Sequence, residues 1–138
     1  MTEQKPNSKS AVDNPWEDLV VSLLSVNHHS VERTYKSIEG LRQQGLCDPV
    51  NLTQWELGVL VARLKAAGCD RGPFMTNLFA SRLANLGAMV QSKGLGSFTK
   101  VISERDTHAI EELLLPINGI GPRVIANFCF LREIPNTY

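Results

Sequence analysis

A chain of 138 residues in which 43% of the side chains are apolar can bury the core of one domain. Its 14 basic and 14 acidic residues cancel, which excludes a long, uniformly basic nucleic-acid surface and leaves few phosphate contacts or a local patch. Cys47, Cys69 and Cys129 are odd in number and lack Cys-x-x-Cys spacing, which excludes a disulfide framework or a zinc site and reads as reduced thiols in a cytosolic protein.

Residues 1–13 are polar, carry no secretory leader and predict a disordered tail. No apolar run approaches the ~18 residues of a membrane span, so the expectation is a soluble protein away from membranes, cytoplasmic or, in a eukaryote, nuclear. Residues 14–138 read as a single helical domain. Asn14-Pro15 supplies a cap and then a first helical residue with φ already set. Trp16, Leu19, Val20, Leu23 and Leu24 form the apolar stripe of that helix, which should end around Ser25 to Asn27. His28 and His29 follow in a loop without a third ligand at metal-binding spacing, so no metal site is expected.

Ser30 caps a second helix through Gln44, stopped by Gly45. Cys47-Asp48-Pro49 reads as a turn. Thr53 to Glu56 matches a capping box, opening a helix bent or broken at Gly58 and ending at Ala67 and Gly68. Pro73 opens the longest helix, with Phe74, Leu78, Phe79, Leu83, Leu86 and Val90 three or four apart, closing at Lys93-Gly94. Gly94 to Gly96 reads as a loop, and Ser97 caps a short helix carrying Phe98, Val101 and Ile102. Trp16, Tyr35 and Trp55 fall on apolar stripes and read as core. The sum is an all-α fold, a compact orthogonal bundle of about seven helices with no convincing strand.

The last element is the most informative. Residues 107–115 form a helix that Pro116 ends. Pro122 then opens another, with Val124, Ile125, Phe128 and Leu131 at helical spacing. Between them lies Ile117-Asn118-Gly119-Ile120-Gly121, two glycines around one apolar residue. Glycine permits unusual backbone conformations and the close approach of a phosphate. The amides that open the second helix lack intrahelical partners and form an anion site. Ile120 should turn inward and tie the helices together. The alternative is a tight turn between core helices with no ligand.

This pattern resembles the helix-hairpin-helix motif, which grips one DNA strand by its phosphates. With Asn14-Pro15-Trp16 leading into Leu23-Leu24-Ser25, and Gly68 before the long helix, the order from Asn14 to Pro135 resembles the endonuclease III (HhH-GPD) superfamily of base-excision-repair DNA glycosylases. The resemblance covers the six-helix-barrel half. It implies that Asn27 stands where the family places a polar residue, usually glutamine, that probes the duplex. It implies phosphate binding by Asn118, Gly119, Ile120, Gly121 and Arg123, with a monovalent cation on the hairpin carbonyls.

The chain departs from the family in ways that bear on catalysis. The lysine that forms a Schiff base in bifunctional members is replaced by Arg123, whose guanidinium cannot supply a free amine. Arg123 would hold a phosphate or pair with a local carboxylate. The family's catalytic aspartate falls just past Tyr138, and the four-cysteine iron–sulfur cluster and the second half-domain have no counterpart, so neither a catalytic residue nor a cofactor is assigned. Among Asp106, Glu111, Glu112 and Glu133, no converging pair is expected, because adjacent helical residues point about 100° apart. Three readings follow: a duplex-DNA-binding module without catalysis, a glycosylase whose acid lies in a further C-terminal part or a partner chain, or a protein-interaction module that no longer binds DNA.

Overall fold

The structure, a computed structural model, describes residues 14–25, 28–104 and 106–134, with the backbone alone for 28–30. The segment 1–13, Asn27 and the side chains of His28 and His29 lie outside the described residues. Nine helices occupy the described residues. They are α1 Pro15–Leu23, α2 His28–Tyr35, α3 Ile38–Gln43, α4 Pro49–Leu52, α5 Leu57–Ala66, α6 Pro73–Lys93, α7 Leu95–Ser103, α8 Thr107–Leu114 and α9 Pro122–Arg132. No strand is formed among these residues, and the fold is an all-α bundle.

Four of the helices begin on proline, which fits the first turn because its missing donor would have no partner there. Asn14 caps α1 by accepting the Trp16 amide at 3.0 Å, and Asp48 caps α4 by accepting the Val50 amide at 3.0 Å. The centre of the bundle is α1, which is buried from Trp16 to Leu23 and packs against α2, α6, α7 and α9. The 21-residue α6 forms the other axis and packs against α4, α5, α1 and α7.

Because α1 is surrounded, its polar positions are buried with its apolar ones. Asp18 is fully buried, where its Oδ1 accepts from the Tyr35 hydroxyl at 2.8 Å and its Oδ2 from Arg132 Nη1 at 3.1 Å. Glu17 accepts from Arg42 Nε at 2.8 Å and Nη2 at 3.0 Å, a bidentate fork. These contacts attach α2, α3 and α9 to one turn of α1. Burial and the neighbouring Asp18 carboxylate push the Tyr35 phenol far above its ordinary value.

Several local features differ from the sequence-based expectation. The expected Ser30–Gln44 helix divides into α2 and α3 at Lys36-Ser37, and Ser30 lies inside α2. The redirection sets Gly40 directly on the Ala67 backbone, where a Cβ would clash, and Ser37 donates to the Gly68 carbonyl at 3.4 Å. Pro49 begins the one-turn α4, so the expected turn is partly helical, and Leu52 in α4 abuts Gly87 of α6. The Thr53–Glu56 capping box does not form. Thr53 closes α4 instead, its hydroxyl donating to the Val50 carbonyl at 2.7 Å, and Glu56 precedes α5 without a side-chain cap. Gly58 lies within the first turn of α5 without breaking it, and α7 begins at Leu95, ahead of Ser97. These divisions account for nine helices in place of about seven.

Candidate functional site

The hairpin is assembled from both sides. Asp106 starts α8 by accepting the amides of His108 at 3.0 Å and Ala109 at 3.4 Å, and Ile110 and Leu114 anchor the helix in the core. Past Leu114 the chain turns twice. The Ile117 amide bonds to the Leu114 carbonyl and the Ile120 amide to the Ile117 carbonyl, both at 3.0 Å. Ile117 and Ile120 are 2% and 5% exposed, so the tip is stapled to the core by two isoleucines. Gly119 has φ +96, a conformation L side chains rarely adopt. Gly121 is extended and caps α9, its carbonyl accepting from Val124 at 3.1 Å and Ile125 at 3.3 Å.

What remains open is the backbone itself. Among the described residues, the amides of Asn118, Gly119, Gly121 and Arg123 have no acceptor. Asn118, Gly119 and Arg123 are exposed and Gly121 is half-buried. The Gly121 and Arg123 amides belong to the N-terminus of an 11-residue helix, the end that carries partial positive charge. Arg123 makes no ion pair among the described residues, so its guanidinium is available to an outside anion. Together these groups can receive one or two oxygens of a phosphate, provided the approach is as open as it is at Gly121, where an added Cβ would have nothing within 4 Å.

The structure brings Asn118, Gly119, Gly121 and Arg123 to one tip and turns Ile120 inward, as its place between the glycines predicts. Its side chain is buried, and its amide is occupied by Ile117, so Ile120 supplies packing and offers nothing to a phosphate. Three of the four candidate acids are occupied or distant. Asp106 caps α8, Glu112 Oε2 lies 3.2 Å from His108 Nε2, and Glu133 sits past the far end of α9 with φ 58. The cysteines are free, and burial pushes the Cys47 thiol up to about 12 and raises those of Cys69 and Cys129, which makes all three poor nucleophiles at neutral pH.

Two residues that no sequence motif singles out touch the hairpin from α6. Asn85 Nδ2 donates to the Asn118 carbonyl at 2.8 Å, and a Cβ placed on Gly119 would come within 3.2 Å of Arg82 Cγ. Their spacing of three on a long helix offers no signal of this, because both partners lie far away in the chain. Comparison of the chain with protein-family models, curated proteins and solved structures gives no match in any of the three.

Proposed function

We propose that this protein binds duplex DNA through the phosphate backbone, using the 117–123 hairpin as a helix-hairpin-helix grip, and that it does so as a non-catalytic relative of the base-excision-repair glycosylases it resembles. The observation that carries this reading is the set of four amides without acceptors along the turn and the start of α9, with the exposed Arg123 side chain beside them. Contacts of this kind reach phosphates and leave base edges unread, so binding is indifferent to sequence. The formal charge of zero limits the number of contacts, which makes binding weak, about micromolar or poorer, and dependent on salt with a slope set by those few contacts. A guanidinium offers no amine to attack a sugar and form a Schiff base, so Arg123 acts as a phosphate ligand.

Titration of a labelled duplex at low salt, read by fluorescence anisotropy, tests the proposal. Gly121→Glu and Arg123→Glu each place a negative charge at the anion position and should weaken binding more than tenfold with the fold intact by circular dichroism. Unchanged affinity in both variants removes the hairpin from the account, and no binding by the native chain removes the DNA reading altogether.

A further inference from the structure

Arg82 and Asn85 are one turn apart on α6, and each reaches a part of the chain remote in sequence. Asn85 holds the Asn118 carbonyl at 2.8 Å, immediately before the glycine whose amide is free. The Arg82 stem lies against Gly119, with Cγ 3.2 Å and Cα 4.0 Å from the position a Cβ would take. At its other end, Arg82 Nη1 donates to the Leu23 carbonyl at 2.8 Å, at the end of α1. That end is held from other directions as well. Asn127 of α9 donates to the Ser22 carbonyl at 3.4 Å and the Ser25 carbonyl at 3.3 Å, and the Thr34 hydroxyl of α2 lies 3.4 Å from the Leu24 carbonyl.

The carbonyls at a helix C-terminus carry partial negative charge and need donors. Here they are met by side chains from three other helices. Arg82 makes no ion pair with a carboxylate among the described residues, so the Leu23 carbonyl is the acceptor recorded for it. A half-buried cation kept for a carbonyl, with its stem under a glycine of positive φ, ties the hairpin to the end of α1.

We propose that Arg82 and Asn85 are positioning residues for the hairpin: from α6 they fix the backbone of Asn118 and Gly119, and thereby the direction of the free amides, without themselves touching the phosphate. This rests on the hairpin being the DNA contact. Positioning and contact differ in their salt dependence. Losing a phosphate contact lowers the slope of log K against log salt by about one, whereas misaligning the amides lowers affinity and leaves the slope as it was.

The test uses the full chain as Asn85→Ala and Arg82→Met, the second keeping the apolar stem, with Arg123→Ala as the contact control. Affinity for a labelled duplex is measured across a salt series, alongside exchange of the Ile120 amide followed by NMR. Asn85→Ala should bind about fivefold more weakly with an unchanged slope, the loss expected from one hydrogen bond. Its Ile120 amide should exchange about fivefold faster, with Phe128 unaltered. Arg123→Ala should lose about one unit of slope. A reduced slope in Arg82→Met would make Arg82 a contact residue and overturn the assignment, as would native affinity and native Ile120 exchange in Asn85→Ala. If the native chain does not bind DNA, the functional reading fails with this proposal, while faster Ile120 exchange would still show that Asn85 holds the turn. If Arg82→Met fails to fold, Asn85→Ala at the edge of the contact decides alone.

Discussion

The two glycines of the hairpin should separate stability from binding when each is replaced by alanine. At Gly119 the backbone has φ +96, and the new Cβ would lie 3.2 Å from Arg82 Cγ. The left-handed conformation costs a non-glycine residue about 1–2 kcal/mol. Arg82 cannot move aside freely, since its guanidinium is bound to the Leu23 carbonyl. In a domain of this size, 1 kcal/mol corresponds to a shift of about 2–6 °C in Tm, so Gly119→Ala should lower Tm by about 2–12 °C. Gly121 is extended at φ −121, which alanine adopts without strain, and its Cβ would have nothing within 4 Å. Gly121→Ala should therefore leave Tm within about 2 °C of the native value. The added methyl stands where a phosphate would approach, so duplex affinity should fall about tenfold. Thermal unfolding by circular dichroism gives the first quantity and anisotropy titration the second. A native Tm in Gly119→Ala, or a large loss of Tm in Gly121→Ala, would refute this division of labour between the two glycines.

Asp18→Asn should cost about 3–5 kcal/mol in urea unfolding, because it removes the buried carboxylate that accepts from both the Tyr35 hydroxyl and Arg132. Replacing Asp18, Arg132 and Tyr35 together by Leu, Met and Phe should recover most of that loss, and no recovery would argue against a simple charge-pairing role. Gly87→Ala should destabilise by about 1–3 kcal/mol because its methyl meets the Leu52 backbone, whereas Gly58→Ala, with open space around it, should stabilise by about 0.5–1 kcal/mol. The pH dependence should be alkaline. Cys47, Cys69, Cys129 and Tyr35 all have folded values raised by burial, so their stabilising contribution is complete below the ordinary thiol value of about 9 and declines as pH rises above it, for Cys47 towards about 12. Urea midpoints from pH 7 to 11 should fall only above pH 9, less steeply in a Cys47→Ser variant, and a flat profile would contradict the burial of these groups.

The parts of this fold that could be read in the sequence are those decided within a few residues. Asn14-Pro15 starts α1 and Pro122 starts α9 because capping and a fixed φ are local properties. The hairpin was legible for the same reason: a glycine of positive φ and an apolar residue beside it define the turn wherever it is placed. Where the decision was tertiary, the local pattern misled. Thr53 and Glu56 have capping-box spacing, yet the Thr53 hydroxyl turns back to Val50 because α4 forms where Leu52 meets Gly87. Glu17 and Asp18 have the composition of a solvated first turn, and only the encirclement of α1 makes them interior anchors.

Arg82 is the extreme case, since an arginine midway along a long helix reads as solvent-facing. Its acceptor at Leu23 is 59 residues away, and its packing partner at Gly119 belongs to another helix pair. The same distinction explains why the turn is legible in the sequence and the side chains that hold it are not. A phosphate site made of main-chain amides needs a particular local conformation, which glycine and proline write into the sequence directly. Its orientation depends on whatever side chains lie beneath it, and any residue with a donor of suitable length can serve there. A sequence pattern can thus identify the turn without identifying Asn85, although the two must act together if the amides are to face a DNA strand in a fixed direction.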